Sequence, residues 1–370
     1  MSIPNSRADA PARVFSFGAG DSYTDCFNAA LRSQGVEVLT AAWSGRWLRA
    51  KVRRGDVLHL HWPSFLYTVP TSRLRSWLGL LRFTALMLML RARGARVVWT
   101  AHNLYPHDNG HAALHRLGRR LVVSLCSHVF VHGALAATAV AREFGVPAAR
   151  LVQLEHGNFI GFYPNTVTRS AARGALGVPH APFLYLFLGL CKPYKNLELL
   201  VRSHAALGDD SLLWVAGRFQ SDAYRQRVQQ AVGQAGGRTT LIDRSLPSEE
   251  LQLYLNACDA VVAPYQEILT SGTALLALSF GRPLVAPRLG TLLEVVTSDC
   301  GVLYDPRSPA GLIEAMREAR KRVFDPAIIL QRAQEFSWQR SATTFVRTVL
   351  QPGGNSLGAD LGAAPNTTVH

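Results

Sequence analysis

What most constrains the fold of this 370-residue chain is a rhythm that runs, stops and starts again. Short apolar runs without polar alternation, Val14–Phe17, Val36–Leu39, Val57–His61, Val97–Thr100 and His128–Val131, are separated by helical patterns such as 24–34 and 74–93. Strands buried on both faces read this way, because helices cover a parallel sheet above and below. The rhythm halts over 156–183, where Gly, Pro, Asn and Thr crowd together in the manner of a linker. It then restarts at Phe183–Leu188 and continues through Leu212–Val215, Thr239–Ile242, Ala260–Ala263, Pro283–Ala286 and Gly301–Tyr304. Two doubly wound α/β domains facing a cleft are the expected architecture. The boundaries read as 1–165 for an N-terminal domain and 166–336 for a C-terminal one. A helix over 337–350 is expected to pack back on the first domain, and the turn-rich tail 351–370 has a disordered composition. Ligands of such sheets bind at the carboxyl ends of the strands, so function is sought in the strand-to-helix loops.

Composition narrows the classes. At 48% hydrophobic the chain buries two cores. Its five cysteines lie far apart, with no CxxC pair, which argues against a disulfide framework and a zinc site. The N-terminus lacks the apolar core of a signal peptide, so a cytoplasmic setting is expected. Charge is uneven: residues 1–170 carry 20 Lys and Arg against 8 Asp and Glu, a net +12, and residues 171–370 carry 19 against 17, a net +2. A basic N-terminal half suits an anionic membrane surface. Nucleic-acid binding is not expected, since no recognised module accompanies the charge.

Two loops of the second half carry the chemistry. After Phe183–Leu188 comes Gly189 to Asn196, with Lys192 and Lys195 where a helix begins; free N–H groups and two point charges there suit a diphosphate. After Ala260–Ala263 the segment Glu267 to Thr273 leads into an apolar helix whose start is Ser271-Gly272-Thr273. Gly272 permits close approach of a ligand, the hydroxyls are donors, and the first-turn amides face outward. Alone, such a triplet is an ordinary helix cap; its order after the lysine loop gives it meaning.

That order resembles the C-terminal half of the GT-B glycosyltransferases that use nucleotide sugars, the glycosyl transferases group 1 type. The segments that carry the resemblance are Gly189–Asn196, Ala257–Pro264, Glu267–Leu276, Gly281–Ala286 and Gly290–Val296 followed by Gly301–Pro306. With LHLHWPSFL (58–66) and VVWTAHNLYPHD (97–108), the set is similar to bacterial exopolysaccharide glycosyltransferases of the GDP-mannose-dependent, inverting β-mannosyltransferase type. The resemblance implies a GT-B fold and transfer of a sugar, best read as mannose from GDP-mannose, to a polyprenyl-diphosphate-linked oligosaccharide. It also implies a peripheral or monotopic protein on the inner face of the bacterial inner membrane, with no metal and no cofactor beyond the donor. A retaining UDP-sugar enzyme and a non-catalytic nucleotide-sugar binder are the alternatives. Two departures stand out: the paired glutamates of the family's donor loop fall here on Ile268 and Leu276, with Glu267 one place away, and the family's phosphate-loop arginine is Leu190. Donor binding is assigned to Gly189, Lys192, Lys195, Arg218, Glu267, Ser271, Gly272 and Thr273.

In the first half Gly18–Asp21 follows the first strand, His59, His61 and Trp62 end the third, and His102 ends the fourth. Histidines at the carboxyl ends of neighbouring parallel strands face the cleft. Gly20, His61, Trp62 and His156 are assigned to the acceptor. His102 is expected to be the base, as an imidazole near its ordinary pKa, with Asp21 next and His61 and Asp108 further candidates. The stretch Arg73 to Arg93 is apolar, flanked by arginines and too short to span a bilayer; it is either a core helix or an interfacial one.

Overall fold

The computed structural model describes residues 13–18, 20–106, 111–236 and 238–351; Asp108, the first twelve residues and the tail 352–370 lie outside them. The N-terminal sheet comprises β1 (Arg13–Phe17), β2 (Glu37–Thr40), β3 (Val57–Leu60), β4 (Arg96–Thr100), β5 (His128–Val131) and β6 (Leu151–Gln153). Its order is β2-β1-β3-β4-β5-β6, all parallel. The C-terminal sheet comprises β7 (Leu184–Leu188), β8 (Leu212–Ala216), β9 (Thr239–Ile242), β10 (Ala260–Val262), β11 (Leu284–Pro287) and β12 (Gly301–Tyr304). Its order is β12-β11-β10-β7-β8-β9, again all parallel. β3, β7, β10 and β11 are buried throughout, as expected of strands covered by helices on both faces. β6 is a strand that the apolar pattern does not signal, because it is a half-exposed edge of only three residues.

Strand order reverses between β1 and β3 in one sheet and between β7 and β10 in the other. A ligand crevice opens at such a reversal, because the two flanking loops depart to opposite faces. The loops flanking the second reversal are the lysine loop and the Ser-Gly-Thr loop.

The linker is stitched down where the two domains meet. The Asn158 side-chain amide donates to the carbonyls of Ala333 (3.1 Å) and Phe336 (2.7 Å). A Cβ at Gly157 would lie 2.2 Å from the Trp338 ring, so only glycine fits. The Glu155 carboxylate accepts from Ser337 N (2.9 Å) and pairs with Arg340 (2.8 Å). Past this crossing, the helix Trp338–Val349 leaves the second domain and packs on Ser22–Ser33 of the first, with Phe345 edge-on to Phe27. The chain therefore crosses between domains twice at one place, a geometry that permits rotation about the crossing.

Candidate active site

The cleft between the domains has a volume of about 950 Å³. Its C-terminal wall is set by backbone contact. The loops after β7 and β8 run side by side: Gly189 N donates to Ala216 O (3.0 Å), Cys191 N to Arg218 O (2.9 Å) and Gln220 N to Cys191 O (3.0 Å). A Cβ at Gly217, whose φ is +152°, would lie 2.0 Å from Gly189 O. Glycine is required there by space and by conformation together.

This ladder fixes three cations. Lys192 and Arg218 line the cleft. Lys195 is buried, its Nζ over the rings of Phe187 (5.5 Å) and Tyr265 (5.2 Å). A Cβ at Gly189 would find Lys195 Nζ at 3.2 Å and Thr273 Oγ1 at 3.8 Å, so lysine, hydroxyl and glycine converge. Gly272 and Thr273 face the cleft, at the start of the helix Gly272–Ser279. The Ser271 hydroxyl is committed elsewhere: it caps that helix by accepting from Ala274 N (3.2 Å) and borders a smaller cavity behind the loop. Glu267, assigned to the donor from sequence, is exposed and outside the cleft lining; Ile268 and Leu276 line it instead. The physical reason is a turn of the loop, which buries Leu269 and brings its one-off neighbour Ile268 inward.

The opposite wall is built from imidazoles. His59, His61, His102, His132 and His156 cluster around Tyr23 and Trp338, with ring centroids between 4.0 and 5.5 Å for neighbouring histidines and 5.0 Å for Tyr23–Trp338. His61 Nδ1 meets His102 Nε2 at 3.2 Å, His132 Nδ1 donates to Leu154 O (3.0 Å), and His156 Nδ1 donates to Gly157 O (2.9 Å). Burial pushes every one of these rings below its ordinary value, His61 to about 3, His132 to about 3, His156 to about 4 and His59 and His102 well below, and repulsion from neighbouring rings adds to it at His59, His102 and His132. His102 lines the cleft, stacked on Trp62 at 4.6 Å, and His156 lines it with its Nε2 against Gly272. His61 is buried beneath them. The expectation of a His102 near its ordinary pKa is therefore overturned; the ring is neutral but a weaker base than an exposed imidazole. His132, which the sequence reading passed over, completes the cluster; its signal was its place at the end of β5.

Asp21 is the one carboxylate among the described residues lining the cleft. Its Oδ1 accepts from Tyr23 N (2.9 Å) and Thr24 N (3.2 Å) and its Oδ2 from Thr24 Oγ1 (2.9 Å), capping Ser22–Ser33. Burial raises its pKa. Gly20 is exposed beside it and is not part of the lining. Among the described residues no group of three or more His, Cys, Asp or Glu is arranged to hold a metal ion.

Residues 182–321 match the family Glycosyl transferases group 1. The GDP-mannose:glycolipid 4-beta-D-mannosyltransferase of Xanthomonas campestris pv. campestris is 29% identical over 321 residues, 85% of this chain and 84% of that protein. Among solved structures, sucrose-phosphate synthase of Thermosynechococcus elongatus superposes with a TM-score of 0.70 at 18% identity, covering 91% of this chain and 97% of that one. Anabaena HepE in complex with UDP and glucose also gives 0.70, at 15% identity, with 92% and 99% covered. The two likenesses show a shared fold.

Two outcomes follow from this geometry. The folded chain binds fewer protons than the unfolded one wherever pH lies between the depressed values and about 6.5, so stability falls as pH drops through that window. Three imidazoles held near 3, 3 and 4 give a slope of up to about 4 kcal/mol per pH unit. Urea unfolding between pH 7 and pH 4.5 measures it, and His132→Gln should reduce the slope by up to about 1.4 kcal/mol per pH unit; a flat profile would refute neutral burial. Separately, Lys195→Met keeps the stem and removes the charge. Calorimetry with GDP should show affinity lowered by about 10- to 100-fold, the scale of a charge-assisted hydrogen bond. Unchanged GDP affinity would remove Lys195 from the diphosphate site.

Proposed function

We propose that this chain, a glycosyltransferase of GT-B fold whose residues 182–321 form a glycosyl transferases group 1 domain, transfers mannose from GDP-mannose to a glycolipid with inversion. One observation carries the transfer chemistry: the cleft sets cations and amides on one wall and a lone carboxylate with neutral imidazoles on the other. The donor and acceptor classes are supported by the mannosyltransferase relative, whose likeness spans both domains.

In this reading Lys192, Lys195, Arg218 and the first-turn amides of Gly272–Ser279 hold the diphosphate. They stabilise the charge that grows as the C1–oxygen bond to GDP breaks. The acceptor hydroxyl forms the new bond to C1 from the opposite face, and its proton passes to a base of the N-terminal wall. Asp21 takes that role in place of His102. Burial raises the basicity of the carboxylate and lowers that of the imidazole, and the cap bonds hold Asp21 rigidly. Trp62, stacked on His102, offers a ring face to an acceptor sugar, and His102 and His156 orient hydroxyls as neutral partners. The polyprenyl-diphosphate carrier and the exopolysaccharide setting complete the proposal. Its test is incubation with GDP-mannose, UDP-glucose and UDP-GlcNAc in parallel against a polyprenyl-diphosphate glycan extract. Asp21→Asn should lower turnover by about 10²- to 10⁴-fold with GDP affinity kept, and His102→Gln by less. Transfer only from a UDP-sugar would overturn the donor, and no transfer at all would favour a binding protein.

We further propose that the N-terminal domain docks on an anionic membrane face, at the inner side of the inner membrane. The helix Arg73–Ala92 buries Leu80, Phe83, Met87 and Leu90 and exposes Leu74, Trp77, Leu78 and Leu81, while Phe65 beside it is 79% exposed. Core and interfacial readings of this helix both hold, on different faces. From residue 57 to residue 142 the sequence has ten arginines and one acidic residue, Asp108, and Arg73, Arg75 and Arg82 are exposed among those leucines. Apolar side chains ringed by arginines suit insertion at a lipid headgroup boundary. No helix among the described residues is long and apolar enough to cross a membrane. Phe65 also lines the cleft, so a lipid-borne acceptor would enter directly from that surface. The protein should sediment with phosphatidylglycerol vesicles at low salt, and Leu78→Glu with Leu81→Glu should abolish this without lowering thermal stability. Full sedimentation of that double variant would exclude the surface.

A further inference from the structure

The helix Ala134–Phe144, which follows β5 in the N-terminal domain, begins without a cap of its own. Its N-cap is Gly133, at φ +108°, with no side chain to accept from the first-turn amides. Those amides are instead taken by the other domain: the Glu294 carboxylate accepts from Ala134 N (3.0 Å) through Oε2 and from Leu135 N (2.6 Å) through Oε1. A Cβ at Gly133 would lie 2.2 Å from Glu294 Oε2, so the carboxylate fills the space a capping side chain would occupy. Orphan amides and the positive end of a helix favour an anion at this place. Here the anion belongs to a different domain.

Both ends of this contact lead to the cleft. On the donor side, Thr291 N donates to Leu269 O (3.2 Å), and a Cβ at Gly290 would lie 2.4 Å from Ile268 O; the segment bearing Glu294 thus rests on the loop that lines the cleft. Arg332 holds the backbone of the same segment, donating through Nε to Val295 O (3.0 Å) and also to Glu294 O. On the acceptor side Gly133 follows His132, whose ring packs against His102 at 5.3 Å. The smaller cavity, about 320 Å³, lies between these parts and is lined by His132, Gly133, Ser271, Thr291 and Glu294.

We infer that Glu294 is a positioning residue for glycosyl transfer, a cap supplied across the cleft that holds the two domains closed in register with the donor loop. Opening the domains strips the helix of its cap and sends both the amides and the carboxylate to water. The closed form is favoured by that difference, and closure sets the spacing of donor and acceptor walls. Glu294 touches no reacting atom in this assignment.

The test uses the full chain with two variants that break the contact from opposite sides. Glu294→Gln removes the charge. Ala134→Pro removes one amide donor at a helix position that favours proline, leaving Glu294 untouched. Each should lower kcat by about ten-fold or more, as expected when the closed population falls by that factor, with GDP affinity by calorimetry within about two-fold of the parent. Small-angle scattering with GDP present should give a larger radius of gyration for both than for the parent. The effects on kcat should be non-additive in the double variant, as for two partners of one contact. Scattering and GDP affinity do not depend on which acceptor or sugar is used, so a wrong donor assignment leaves this part of the test intact. Parent-like kcat and radius of gyration in Glu294→Gln would overturn the inference. So would a matching loss of GDP affinity and melting temperature in both variants, which would mark the contact as merely structural.

Discussion

Much of the donor wall depends on two backbones lying closer than any side chain allows. At Gly189 and Gly217 the loops leaving β7 and β8 continue the parallel ladder past the edge of the sheet, with three further hydrogen bonds out to Gln220. A loop held this way has little freedom, and Lys192 and Arg218 are presented by it at fixed spacing. A flexible lysine on a mobile loop would lose rotamer and backbone freedom on meeting a diphosphate; a pre-formed ladder has already met that entropic cost in folding. The same ladder brings Lys195 under Gly189, where two aromatic rings hold its Nζ. Cation and ring attract, so the aromatic rings hold the Nζ in place beside the cleft.

The facing wall obeys the opposite logic. Four buried imidazoles and the half-buried His102 cannot share protons in so small a volume, since each charge would be desolvated and, at His102, would also meet its neighbours' charges. They are therefore neutral hydrogen-bonding groups, and His59 Nδ1, His61 Nε2 and His132 Nε2 find no hydrogen-bond partner among the described residues. Such orphaned nitrogens cost stability. The cluster lies at the carboxyl ends of β3, β4 and β5 and at the domain crossing, so the first sheet and the hinge both contribute to one surface.

The alternation of apolar runs was sufficient to read both sheets and the cleft between them, because strands such as β7 and β10 are apolar at every position. β6 was illegible, being three half-exposed residues. The lysine loop and the Ser-Gly-Thr loop were legible as a pair because each directly follows a strand at the reversal of strand order. Their internal division was not. Ser271 reads identically as a ligand or as a cap, and only the bond from Ala274 N decides. Glu267 and Ile268 differ by one position, and which of them turns inward is set by the burial of Leu269, a tertiary event. The cap supplied by Glu294 joins residues about 160 positions apart; no local pattern signals it, although the bare glycine that opens Ala134–Phe144 is its visible half. The depression of His102 arises from burial and then from four other rings gathered from three segments, and a single strand-end histidine carries no trace of that.

The replacement of both donor-loop glutamates by Ile268 and Leu276 acquires a physical sense from the distribution of charge. Both line the cleft. A carboxylate at either place would stand on the same wall as Lys192, Lys195 and Arg218, pairing with them and lowering the field that a departing diphosphate meets. With the apolar pair in place, the acidic group of the described lining is Asp21 alone, on the other side. In the proposed assignment charge across the cleft is polarised along the direction in which transfer would move it, with negative charge growing at the leaving oxygen beside the cations and the acceptor proton passing toward the carboxylate. A low-dielectric wall of neutral rings keeps the two ends from being screened. In the proposed assignment ribose hydroxyls would lack an ionic partner, and Gln220 and Ser245 on the same lining would meet the nucleotide by neutral hydrogen bonds. Such bonds are weaker than charge-assisted ones, so under the proposed assignment donor affinity would lean on the diphosphate and on the rigidity of the ladder at Gly189 and Gly217.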